Sequence, residues 1–409
     1  MTEPGNTNHI VPRMSAFRRT VWKVAQILSA PPFLLFALLV IVPHSRLSRR
    51  RIRPNIVWGG TPIINIKYGA KADRLYGYKS DTLVFTQATI NSKYDYDFVF
   101  DRFFQDRGWG HSMVRDAFLG LLSPYYLFTK AAWNYDIFRF YFDGGFLTYT
   151  ALAPLEPWLL HLAGKKIIVV PYGGDARLES QTRQHPISFC MDCSPETRTC
   201  NEKKIARFVK RLSAQADIVL GCADIVDVLP NHEGIWQYPI DLSGWQPVPA
   251  RVLPRPVRVV HATNHRKYKG THFLIDAVES LKADGYPVEL VLVEKMKTDE
   301  AKAVYQSADI IADQFIGGAY ALFAIEGMAL GKPVLCYLRD DLYALHPEWD
   351  ECPIYNTSPY TIKEHILRLI QDDNLRVAIG ARGPAYVQKW HSLEAVGKAD
   401  DEMYRELWT

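Results

Sequence analysis

The chain has 409 residues, 48% of them hydrophobic and 22% charged. That is the composition of a folded chain long enough for two domains, and it excludes a disordered, collagen-like or heptad-repeat protein. The net charge of +4 is unevenly spread: residues 1–53 hold nine Lys/Arg against Glu3 alone, so the remainder is net acidic, which argues against a nucleic-acid-binding body.

In chain order, Arg13, Arg18, Arg19 and Lys23 precede, and Arg46, Arg49, Arg50, Arg51 and Arg53 follow, the run FLLFALLVIV at 33–42. Ten apolar residues are about half of a bilayer span. Extending the run upstream meets Gln26, Ser29 and the pair Pro31 and Pro32, which is expected to interrupt helical hydrogen bonding. Basic flanks on both sides place both ends on one side of a membrane. Residues 1–53 therefore read as a membrane-associating arm, monotopic or peripheral on the cytoplasmic face, with residues 46–53 against anionic lipid. A single-pass anchor, a cleaved signal peptide and an ordinary buried helix are the competing readings.

From residue 54 short apolar strands alternate with helices. Strands are expected at 55–58, 82–86, 135–142, 166–170 and 217–220, most of them ending in Gly or Asp turns, and a helix at 203–215. Cys190, Cys193 and Cys200 form the only suspicious thiol cluster. It could hold a structural metal, with free surface thiols as the alternative. A Pro-rich stretch at 246–256 reads as a linker. The alternation then restarts: strands at 257–261, 288–293, 310–313 and 333–337, helices at 271–284, 298–307 and 321–330. This pattern predicts two doubly wound α/β domains, 54–248 and 249–390, facing a cleft, with a helical segment at 391–409.

The second half carries the informative chemistry. His261, Asn264, His265, Arg266, Lys267 and Lys269 lie between a strand end and a helix start, a place suited to an anion. Gly317 and Gly318, followed by Ala319 and Tyr320, would let backbone approach a ligand just before the next helix. Glu326 lies on that helix among apolar residues, where a carboxylate needs partners such as ribose hydroxyls.

The run EGMALGKPV from Glu326 to Val334, with Arg266 and Lys269 upstream, resembles the retaining GT-B glycosyltransferases of the group-one, glycogen-synthase-like class, glycosyltransferase family four. The similarity is strongest over 257–391 and includes Tyr386, Val387 and the closing His391 and Ser392. It implies a GT-B fold and a nucleotide-diphosphate sugar as donor substrate. Arg266 and Lys269 would face its diphosphate with Asn264, the loop 317–320 would lie beside it, and Glu326 would hold the ribose. The family pattern has a second glutamate at the position of Gly318, where it contacts the donor sugar; Asp313 or Gln314 could take over that contact. In the first half, Gly59 and Gly60 would face the phosphates across the cleft, and Asp175 with Arg177 resembles the polar turn lining it, so Asp175 joins Arg266 and Lys269 as a candidate catalytic residue.

There is no Ser-His-Asp arrangement. Asp95 and Asp97 have the spacing of a metal-binding pair but sit in an aromatic stretch; the resemblance implies a class that needs no catalytic metal, so neither a catalytic metal nor a cofactor is expected. The activity so implied is metal-independent sugar transfer with retention to a membrane-associated acceptor, a lipid-linked saccharide or surface glycan, as in polysaccharide biosynthesis. A sugar-nucleotide epimerase of the same fold and an inactive membrane scaffold are the alternatives.

Overall fold

The computed structural model describes residues 16–48, 51–86, 96–101, 113–191, 201–249, 256–263 and 265–409. Helix α1 (Ala16–Phe36) passes through a π turn (Ala37–Ile41) into α2 (Val42–Leu47). Pro31 and Pro32 lie inside α1, so the helix runs on through the pair expected to interrupt its hydrogen bonding. They remove two local N–H donors, while Ala30, Ala37 and Ile41 are buried against the body and keep the helix seated. The apolar helical stretch is consequently Thr20–Leu47, 28 residues, long and apolar enough by composition to cross a membrane.

The first sheet is built from β1 (Ile56–Gly60), α3 (Ile64–Leu75), β2 (Ser80–Val84), β3 (Phe98–Val99), α4 (Met113–Asn134), β4 (Ile137–Phe140), α5 (Glu156–Leu162), β5 (Lys166–Val169), α6 (Glu179–Thr182), α7 (Glu202–Gln215) and β6 (Ile218–Val219). Its order is β3-β2-β1-β4-β5-β6, all parallel, with Ile56 opposite both Ser80 and Ile137. Strands buried on both faces explain the unbroken apolar runs.

The second sheet follows with β7 (Val257–Ala262), α8 (Arg266–Lys269), α9 (Thr271–Ala283), β8 (Val288–Val293), α10 (Thr298–Gln306), β9 (Ile310–Ala312), α11 (Leu322–Ala329), β10 (Val334–Cys336) and β11 (Tyr355–Asn356), in the order β11-β10-β9-β7-β8. Helices α12 (Ile362–Gln371), α13 (Asp373–Trp390) and α14 (Leu393–Leu407) close the chain.

Each sheet reverses its winding once, between β1 and β4 in the first and between β7 and β9 in the second. Crevices open at such switch points, at the carboxyl ends of the strands.

Helix α14 leaves the second half and packs on α3 of the first. Its Tyr404 hydroxyl donates to Asp73 Oδ1 (3.0 Å) and accepts from Arg139 Nη1 (2.7 Å). Arg139, on β4, also pairs with Asp400 of α14 at 2.8 Å and lies 4.0 Å from the Trp58 ring centroid. All of these side chains are buried. The helical tail expected at 391–409 is thus part of the first half's core.

Candidate functional site

At the second switch point the residues after β7 meet those after β9. Helix α8 is a single turn ended by Gly270 in the left-handed region (φ 67°), from which α9 starts. Lys269 Nζ reaches Asp313 Oδ1 at 2.5 Å, and Asp313 Oδ2 accepts the Ala321 amide at 3.0 Å. Asp313 is wholly buried. It ties the basic turn to the start of α11, and a second tie is the Phe315 amide on the Lys269 carbonyl (3.0 Å). Between these ties the amides of Gly317, Gly318, Ala319 and Tyr320 have no acceptor among the described residues. Four successive unpaired donors in a loop that Asp313 ties to the Lys269 ammonium suit an anion.

The adjoining cleft has a volume of about 380 Å³ and is lined by Thr263, His265, Tyr268, Lys269, Gln314 and Phe323, with Phe189 of the first half. That is the size of a small-molecule site. Lys269 Nζ also lies 5.5 Å from the Phe323 ring centroid.

The expected site residues separate on this geometry. Lys269 lines the cleft. Arg266 is turned away into a two-pronged pair with Glu294 (2.7 and 2.8 Å) and is half exposed. His261 belongs to the core: Nδ1–H donates to the Ala312 carbonyl (2.8 Å) and Nε2 accepts from Thr271 (2.7 Å), and burial pushes its pKa down to about 4. The Tyr320 phenol is buried among Tyr386 (2.8 Å) and His391 (2.9 Å), so only its amide is offered to the loop. Gln314 donates to the Ala319 carbonyl and fixes the loop. Asn264, Cys193, Cys200 and Asp95 lie outside the described residues; Cys190 is buried.

Glu326 is half-buried one turn beyond Phe323, with no hydrogen-bond partner among the described residues. Burial raises its carboxyl to about 8; the Lys269 charge lowers it and Asp313 raises it. A carboxyl that is protonated near neutrality can both donate to and accept from paired hydroxyls.

Gly318 has φ 86°, and a Cβ there would meet Arg339 Cδ at 2.7 Å. The arginine stem therefore occupies the space that a side chain at 318 would need. The Arg339 guanidinium is held by Asp227 of the first half and by Asp341 (2.6 Å). His185 lies 3.7 Å from Asp227. His185, Asp227 and Asp341 bring possible metal-ligand atoms within 4.8 Å of one another, but Arg339 already compensates both carboxylates.

At the first switch point a Cβ on Gly59 would sit 2.2 Å from the Phe146 ring, and Gly60 (φ 87°) abuts the Gly144 and Gly145 carbonyls. Thr61 donates to Asp143 at 2.6 Å. Asp175 accepts the amides of Phe142, Tyr172 and Gly173 at 2.9–3.0 Å, so its two oxygens organise the loops after β4 and β5. Burial, reinforced by Asp143, raises it to about 7. Arg177 pairs with Asp224 and stacks on Phe189 at 4.1 Å. Phe189 in turn reaches the second half, where a Cβ on Gly317 would lie 2.8 Å from its ring.

Asp313 in its bridging role, Phe189, Glu294 and Arg339 were not singled out from the sequence as site residues. Arg339 follows β10 closely, so the rule that ligands gather at strand ends could have found it. Phe189 and Glu294 carry no local signal.

No family model matches the chain. Two curated D-inositol 3-phosphate glycosyltransferases are similar in part: that of Corynebacterium jeikeium is 29% identical over 110 residues, and that of Corynebacterium urealyticum 28% over 112. Each match covers 27% of this chain and about a quarter (26%) of the relative. In fold, the chain is similar to sucrose-phosphate synthase from Thermosynechococcus elongatus (TM-score 0.56, 13% identity, 87% of this chain and 99% of that one). It is also similar to Anabaena HepE in complex with UDP-glucose (TM-score 0.51, 13% identity, 86% and 100%). The fold is GT-B, and the chain resembles the group-one class of retaining GT-B glycosyltransferases.

Proposed function

We propose that the protein is a glycosyltransferase that moves a sugar, with retention, from a nucleotide-diphosphate donor to a membrane-associated acceptor held by the first half. The observation that carries this reading is the turn at 317–320, whose four amides have no acceptor among the described residues and which Asp313 ties to Lys269 at a sheet's switch point. As the glycosidic bond breaks, negative charge grows on the departing diphosphate. Lys269, held by Asp313, and those amides stabilise it electrostatically, the largest kind of catalytic contribution. Asp313 positions both. Glu326 takes the ribose hydroxyls, and the departing phosphate accepts the acceptor's proton, so no second carboxylate is required. The similar curated proteins are sugar transferases by name, and one similar structure holds UDP-glucose. The apolar helix Thr20–Leu47 supports an acceptor at a membrane, and the basic residues on both flanks of its apolar run favour the cytoplasmic face.

The test is to incubate the full chain with a panel of nucleotide sugars, with and without membranes, and follow nucleoside diphosphate release. Release that depends on membranes and yields a glycosylated product with the donor's anomeric configuration supports the reading. Inversion of a ring carbon in the donor would assign an epimerase. A second reading, an inactive scaffold, is favoured by Gly318 with the Arg339 stem packed over it, and absence of binding to every nucleotide would select it.

A further inference from the structure

We infer that the N-terminal helix lies flat against the body, and that α1, α2, α4 and α5 together form one face that docks onto a single leaflet of an anionic bilayer. This extends the membrane part of the proposed function and uses nothing of the sugar chemistry.

The helix is pinned to the body near both ends. Gln26 donates to the Tyr149 carbonyl, and Ser29 meets the Tyr125 hydroxyl at 2.9 Å. At the other end Ser45 donates to the Ala132 carbonyl (3.1 Å) and Arg46 to the Leu162 carbonyl (2.6 Å). Between them Phe33 stacks on Tyr125 at 4.3 Å. A helix held this way along α4 cannot cross a bilayer without carrying the first sheet into it or breaking every one of these contacts.

Its polarity is inverted relative to a surface helix of a soluble protein. Between residues 24 and 42 the only polar side chains are Gln26 and Ser29, and both turn inward. The outward face is apolar: Leu28 is 69% exposed, Leu39 66%, Ile27 60% and Leu35 59%. A contiguous exposed apolar surface of this kind marks an interaction site.

The body continues that surface. Leu122, Tyr126 and Trp133 follow one another on α4 at spacings of one and two turns, and all three are exposed. Trp133 lies 5.5 Å from the His44 ring of α2. On α5, Trp158 is exposed one turn before Leu162, the residue that accepts Arg46. Exposed tryptophans beside an apolar band suit the head-group boundary.

Charge names the partner. The sequence has no Asp or Glu from residue 4 to 72, nor from 117 to 135, while Arg18, Arg19 and Lys23 precede the apolar band and Arg46, Arg49, Arg50, Arg51 and Arg53 follow it. Arg51 is paired with Asp136 at 2.8 Å, and the other cations that edge the apolar band complement anionic head groups over acyl chains.

Flotation with preformed vesicles of phosphatidylcholine, with and without phosphatidylglycerol, tests this on the full chain. The wild type should float, better with the anionic lipid. Trp133→Ala with Trp158→Ala, two exposed positions whose loss leaves the core intact, should weaken partition roughly tenfold, with an unchanged thermal melt as the control for folding. A protease-cleavable tag before Met1 should stay cleavable from outside. Three results overturn this inference alone: a double variant that floats like wild type, a tag that becomes protected, or a lipid-free dimer that hides the same tryptophans. A wild type that does not float overturns both this inference and the membrane part of the proposed function, leaving the donor reading to the nucleotide assay.

Discussion

Lys269 and Arg266 sit three residues apart on one short helix, yet only the first lines the cleft. Lys269→Ala should therefore cost on the order of 2–4 kcal/mol in the transition state, a rate loss of roughly 30- to 1000-fold. Arg266→Ala should cost clearly less, because that guanidinium must first leave Glu294. Steady-state release of nucleoside diphosphate compares the two, and equal losses would place Arg266 on the phosphates as well. Gly318→Glu should not improve turnover. It should lower stability by about 1–3 kcal/mol, since the new side chain must adopt φ 86° and displace Arg339; a melting curve reads it. Glu326 supplies a pH test. Its folded-state pKa of about 8 lies above the usual 4.5, so the folded form binds that proton more tightly. Folding loses stability as pH rises from about 4.5 to about 8. Glu326→Gln should flatten that decline, being more stable than wild type at pH 8–9 and converging with it near pH 4, as denaturant titrations at several pH values would show.

Among the elements, the strand ends were the legible part. Runs that finish in Gly59 and Gly60, in Asp143 to Gly145, or just before Gly173 announce themselves because such turns need glycine or a short polar side chain. The sequence also placed Lys269 and the glycine turn at strand ends. That the two share Asp313 depends on β7 and β9 being neighbours, and strand order cannot be read from spacing. Helix α4 was missed because Pro124 and a nearly all-round apolar pattern hide its period, and α1 was cut short at two prolines that packing overrides. Least visible was the joint between α14 and β4. Arg139 is an isolated arginine in an aromatic strand, and its partners Asp400 and Tyr404 are some 260 residues away; for Tyr404 the separation is 265. Asp400→Ala should destabilise by about 3–5 kcal/mol by leaving part of a buried cation uncompensated, and Tyr404→Phe by about 1–3 kcal/mol. Chemical denaturation would measure both, and near-wild-type stability would show that the joint tolerates water.

For the whole molecule, the two halves meet along a seam that includes Phe189 against Gly317, Arg339 with Asp227, Gln237 with Glu348 at 2.7 Å and His346 on the Ala223 carbonyl at 3.0 Å. Helix α14, by contrast, is embedded in the half it returns to. Truncation after Trp390 should therefore loosen the first sheet, raising protease cleavage within 56–219, while the second sheet keeps its protection; the reverse pattern would make α14 a mere appendage. The same return path sets a timetable for biogenesis. Residues are added at roughly 5–20 per second, so the 265 positions between Arg139 and Tyr404 take the ribosome on the order of 15–50 s. Throughout that interval the nascent first half waits without the partners of Arg139 on α14 and with its apolar N-terminal helix already outside the exit tunnel. The bilayer could be reached before the fold is closed, which would leave α14 to complete a body already delivered to its surface.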